Sequence, residues 1–140
     1  MTTKVSVEEA NAFLAKAFNN AQNRSEVILM EDGRAIMRLK AGPEHLRPGG
    51  TVSGPAMMAL ADVALYAALL GKIGLVPLAV TSNLNINFLR KPVAHSPIRA
   101  RASMLRIGKT SGVGEVYILS DGLEDPVAHA TITYAIPAQR

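Results

Sequence analysis

The sequence predicts an α+β fold in which a curved antiparallel sheet wraps one long buried helix. Three observations carry this expectation. The stretch from Pro55 to Leu70 is apolar on almost every side, broken only by Asp62. After it come four successive segments with strand-like patterning, and before it two apolar runs flank Asp32-Gly33, a short-range hairpin signal. A helix apolar all round must be covered nearly all round, and a strongly curved sheet does so with few strands.

Each element has its own local reason. Ser6-Val7-Glu8-Glu9 has the pattern of a capping box, and Val7, Ala10, Phe13, Leu14, Ala17 and Phe18 follow at helical spacing. An N-terminal amphipathic helix is expected, ending near Asn19 and Asn20. Val27 to Met30 and Arg34 to Lys40 form the hairpin. Residues 41–54, rich in Gly and Pro, form the longest loop. Pro55 suits a first helical turn, where its missing N–H costs nothing, with Ser53 or Gly54 as the cap. The central helix is expected over about 55–71. Val80, Ser82, Leu84, Ile86 and Phe88 alternate with Thr81, Asn83, Asn85 and Asn87, predicting a strand with one apolar and one polar face. Strands follow at Ile98 to Met104, Val113 to Ser120 and Val127 to Ile136. At 140 residues the chain forms one domain, 1–140, with the first helix in 1–20 and the core in 25–136.

Composition narrows the function. With 49% hydrophobic and 19% charged residues, intrinsic disorder is excluded. Cysteine is absent, which removes disulfides, thiolate metal sites and cysteine nucleophiles and fits a reducing cytoplasm. The N-terminus lacks the basic start and apolar core of a secretory signal, and the stretch Pro55 to Leu70 falls short of a bilayer span. No membrane partner is expected. The net charge of +4 is unevenly placed: Val63 to Gly114 contains no acid but seven basic residues, Lys72, Arg90, Lys91, Arg99, Arg101, Arg106 and Lys109. That asymmetry points to an anionic partner beside this segment, weighed against solvated strand faces. Aromatic residues are 4% and Trp is absent, so a nucleic-acid partner is not expected. His45, His95 and His129 have no metal-ligand spacing, and no metal or cofactor is expected.

Asp62 is the most informative residue. Inside an apolar helix a carboxylate is costly unless paired, hydrated or protonated. Two readings stand: a structural Asp hydrogen-bonded to backbone, Thr or Asn, and a general base or nucleophile in a dry site. Gly54, eight residues earlier, carries an uncommitted N–H at the positive end of the same helix, able to stabilise an oxyanion; the competing reading is a glycine required by turn geometry. Two turns separate them by about 12 Å, too far for one helix to bring both to one atom. A site built across two subunits removes that difficulty. Ser53 reads as a helix cap.

Ser53-Gly54-Pro55 and Leu60-Ala61-Asp62, the run Asn85 to Pro92, and Ile107-Gly108-Lys109 together give the chain its resemblance to a family. Over residues 40–136 it resembles hot-dog-fold acyl-CoA thioesterases of the phenylacetate-pathway, PaaI-like group, which carry His-Gly-Gly and then Leu-Ala-Asp at the same separation. The resemblance implies the hot-dog fold and hydrolysis of an acyl- or aryl-CoA by a homodimer or dimer-of-dimers tetramer, with CoA as part of the substrate. It implies Asp62 as the catalytic carboxylate, the Gly54 N–H polarising the carbonyl and Ser53 donating a hydrogen bond. Arg47 stands where relatives often have Asn, and Ser53 where they have His. Arg47 would contact CoA or a substrate carboxylate, and Arg90, Lys91, Arg106 and Lys109 the CoA phosphates. Met57, Met58 and Leu65 suggest an apolar acyl slot, weighed against core packing. Two alternatives are an acyl-CoA-binding module without turnover and a hydroxyacyl-thioester dehydratase, whose histidine loop His45-Leu46-Arg47-Pro48 resembles.

Overall fold

A computed structural model describes residues 2–18 and 24–138. The capping box forms as expected: the Ser6 hydroxyl accepts from the Glu9 N–H, and the Glu9 carboxylate accepts from the Ser6 N–H. The helix it starts, α1, runs over Val7–Ala17. The predicted end near Asn19 and Asn20 lies outside the described residues. Strands β1 (Ser25–Glu31) and β2 (Arg34–Leu39) are joined at Asp32-Gly33, where Gly33 has a φ of 74° that a side chain would resist.

The central helix α2 spans Gly54–Ile73, running past the expected end near residue 71. At 20 residues it is long and apolar enough to cross a bilayer by length and composition. Here that apolar surface is packed against the chain's own sheet. Strands β3 (Val80–Phe88), β4 (Ile98–Ile107), β5 (Ser111–Ser120) and β6 (Ala128–Ala135) follow. All six strands form one antiparallel sheet in the order β1-β2-β4-β5-β6-β3. The connection between the strands expected to end at Met104 and to begin at Val113 is shorter, because β4 gains length through a bulge at Met104 to Arg106 and β5 begins at Ser111.

Alanines recur across neighbouring strands of the inner face between larger side chains. Met37, Ala100, Ile118 and Ala128 lie in one row, and Ala35, Ala102, Val116 and Ala130 in the next. All are buried. The alanines let the helix approach, and closest approach falls at Gly114, where a Cβ would collide with the Leu65 side chain and the Ser103 carbonyl. Leu65, Leu69 and Leu70 of α2 are fully buried in the resulting core.

Edge strand β3 departs from expectation. Val80 is 58% and Phe88 49% exposed, while Leu84 and Ile86 are only partly covered. Among the described residues no strand pairs with its outer edge. The alternation also breaks: Thr81 pairs with Tyr134 and Asn83 with Thr133, so β3 carries an extra residue there. The bulge turns Thr81 from the predicted polar face to the helix side.

Candidate active site

The first turn of α2 leaves one backbone donor uncommitted. The Ser53 hydroxyl accepts from the Ala56 N–H at 3.3 Å, the Ser53 carbonyl accepts from the Met57 N–H, and Pro55 has no N–H. Ser53 is therefore the cap its position predicted. Among the described residues nothing pairs with the Gly54 N–H. Gly54 does not have a positive φ, so turn geometry is not the reason for glycine here. Space is the reason: a Cβ would sit 3.3 Å from the Phe88 ring.

That helix end opens onto a cavity of about 540 Å³. Met57, Val52 and Phe88 supply apolar wall, while Arg47, Arg90 and Lys91 supply cations. Arg90 is committed on one side, its Nε donating to the Pro126 carbonyl at 3.0 Å and a terminal nitrogen lying 3.8 Å from Asp125. Arg47 and Lys91 have no acidic partner among the described residues. Of the three residues expected in the acyl slot, Met57 lines the cavity, Met58 is 40% exposed and lies outside that lining, and Leu65 is fully buried in the core. Adjacent helical residues face about 100° apart, which separates Met57 from Met58.

Asp62 sits two turns further along, half-buried rather than enclosed in the expected dry site. Thr81 Oγ1 donates to its Oδ1 at 2.7 Å, and the Tyr134 hydroxyl lies 2.9 Å from the same oxygen and 3.1 Å from the Asp62 carbonyl. Burial, reinforced by the Asp62 charge, pushes the Tyr134 phenol above the usual tyrosine range. It stays protonated and remains a donor. The partner type expected for a structural Asp, a Thr, is thus present, yet the carboxylate is also open on one side. Sequence reasoning missed both Thr81, hidden by the bulge, and Tyr134, whose inward phase in β6 beside Ala130 and Ile132 was the available signal.

Within one chain the expected residues form two groups. Gly54, Arg47, Arg90 and Lys91 gather at the Phe88 end of β3. Arg106 and Lys109 lie at the opposite end of the sheet, where β5 begins and Val80 opens β3, about 25 Å away at 3.3 Å per residue. His45 Nδ1 accepts from the Gly42 N–H at 2.9 Å, a contact within its own loop. His129 pairs with Glu115 on the outer face of the sheet.

The thioesterase-superfamily profile matches residues 49–127, the span that holds Gly54, Asp62 and all of the cavity wall except Arg47 and Pro48. The chain belongs to the thioesterase superfamily. Membership places it among hydrolases, with the hot-dog architecture seen above. A protein from Silicibacter sp. TM1040, provisionally described as a thioesterase, is similar in structure with a TM-score of 0.89 and 40% identity, over 98% of this chain and 95% of that one. The phenylacetic acid degradation protein PaaI of Thermus thermophilus, in a mutant form, superposes with a TM-score of 0.70 at 26% identity, covering 81% of this chain and 93% of its own. In sequence, a Thermoplasma acidophilum protein provisionally described as an esterase is 33% identical over 84 residues. That match covers 60% of this chain and 62% of the relative's length.

Proposed function

We propose that this thioesterase-superfamily protein hydrolyses the thioester of an acyl- or aryl-CoA to the free acid and CoA. The observation that carries the reading is a carboxylate held by two hydroxyls on the open side of the helix whose N-terminus heads a cation-rimmed cavity. As general base, Asp62 takes a proton from water while the oxygen attacks the carbonyl carbon. The oxyanion accepts from the Gly54 N–H, and the C–S bond breaks as the proton passes to the departing CoA sulfur. As nucleophile, Asp62 attacks the carbon itself, the C–S bond breaks and CoA leaves as a thiolate that takes a proton from solvent, and water then opens the resulting mixed anhydride to the free acid and the regenerated Asp62 carboxylate.

A second copy of the chain completes the site. On α2 the residues Pro55, Met58, Ala59 and Asp62 form a stripe at helical spacing that the chain's own elements leave at least partly open. Gly54 and Asp62 each lie four residues from Met58. Two copies packed antiparallel about Met58 therefore set Gly54 of one beside Asp62 of the other, and the open β3 edges pair about the same two-fold axis. The same operation carries Arg106 and Lys109 of one copy towards Arg90 and Lys91 of the other. The distance objection within one chain then disappears, and the cations flank one polyanionic substrate. A CoA ester and a chain without cysteine suit the cytoplasm.

Thiol release from aryl, short, medium and long acyl-CoAs tests the proposal. Turnover should appear with at least one class, and Asp62→Asn should lower it at least about a thousandfold with the thermal midpoint retained. Undiminished turnover in Asp62→Asn would remove Asp62 from the chemistry, and tight binding of thioesters without thiol release would make the protein a binding module.

A further inference from the structure

Hydrolysis needs Asp62 in one orientation, and the structure assigns that orientation a keeper. The Tyr134 hydroxyl lies within hydrogen-bonding distance of two atoms of the same residue, Oδ1 at 2.9 Å and the main-chain carbonyl at 3.1 Å. A phenol has a single hydrogen, which the two acceptors share. A group that holds both the backbone and the carboxylate of one residue fixes the side-chain torsion relative to the helix axis. Thr81 adds a second donor on Oδ1. Among the described residues none reaches Oδ2.

Tyr134 is itself held. It is 4% exposed, and its ring stacks on Tyr66 at 5.3 Å with an interplanar angle of 5°. The Tyr66 hydroxyl donates to the Val76 carbonyl at 2.7 Å, and Phe13 and Phe18 close on the Tyr66 ring at 6.1 and 6.3 Å. Four of the six aromatic residues in the chain are thus spent behind one carboxylate. In a chain so poor in aromatics, that concentration is far from an even distribution through the core.

We propose that Tyr134 is the positioning residue of the reaction, holding Oδ1 so that Oδ2 is the oxygen presented to water or to the thioester carbon. The inference rests on the reading of Asp62 as the reacting carboxylate. The titratable groups facing the phenol are Asp62 and Tyr66, both on α2, and its raised proton affinity keeps it a donor throughout the neutral range.

Tyr134→Phe tests this, because it keeps the ring and the stack and removes only the hydroxyl. A lost hydrogen bond to a charged group predicts a fall in kcat of about ten- to a hundredfold, with KM changed by less than about twofold. A merely structural hydroxyl would lower the thermal midpoint and leave kcat per folded molecule unchanged, and that result overturns the inference. Asp62→Asn separates the two levels: if it is inactive while Tyr134→Phe behaves as wild type, the positioning role fails and the reaction stands. If Asp62→Asn is itself active, the reading beneath it falls.

Discussion

Thr81 and Tyr134 face each other directly across β3 and β6, and both hydroxyls converge on one oxygen of Asp62. Regular alternation along β3 would have placed Ser82 on this face and Thr81 among the outward asparagines. The extra residue between Thr81 and Asn83 reverses the phase. Ser82 instead donates to the Thr133 carbonyl at 3.3 Å. One irregularity in an edge strand therefore assembles the donor pair around the carboxylate.

The hydroxyl of Thr81, rather than its shape, is what Asp62 uses. Thr81→Val keeps the shape and loses the donor, and should lower kcat about tenfold. Thr81→Ser retains the donor and should stay within about threefold of wild type. Equal losses in both variants would mean that packing, not donation, matters at this position.

Gly54 is confined by the Phe88 ring. In Gly54→Ala the new methyl must push the ring or the helix end by a few tenths of an ångström, displacing the N–H that faces the cavity. Thioester turnover should fall several-fold, with about 1 kcal/mol or less lost in stability. Pairing it with Phe88→Leu restores the space and should recover part of the activity. If the double variant is no better than the product of the two single ones, the close contact is not the cause.

A site shared between subunits makes a quantitative prediction. Asp62→Asn retains a working Gly54, and Gly54→Val, which blocks the helix end, retains Asp62. Each homodimer should be nearly inactive. After denaturation, mixing and refolding, half the dimers are hybrids with one intact site in two, so about a quarter of wild-type activity should return. No recovery from verified hybrids would place both groups in one subunit.

Alkaline stability reports the buried phenols. Burial raises the Tyr66 phenol, and burial with the Asp62 charge raises that of Tyr134. An unfolded chain ionises its tyrosines near pH 10 while the folded chain keeps these two protonated, so their contribution is constant below about pH 10 and is lost as pH rises above it. Each group adds a slope approaching about 1.4 kcal/mol per pH unit. Urea unfolding at about pH 9 to 11 should show the decline, and Tyr134→Phe should make it shallower. An identical slope in that variant would mean that Tyr134 ionises alike in both states.

Much of this was legible in the residues alone. The apolar run around Asp62, the Asp32-Gly33 turn and the period-2 strands determined an antiparallel sheet around a central helix, because hydrophobic periodicity is a local property that burial must honour. Asp62 stood out for the same reason, as a charge where a charge is costly. What the tertiary structure decided was everything that depends on phase and neighbours. It turned Thr81 inward at a bulge no pattern announces and brought Tyr134 from 72 residues away onto the same oxygen. It reserved Gly54 for the approach of Phe88 and set Met57 rather than Met58 in the cavity. It also put Arg106 and Lys109 at the far end of the sheet from Arg90 and Lys91, because antiparallel strands return their charges to opposite ends.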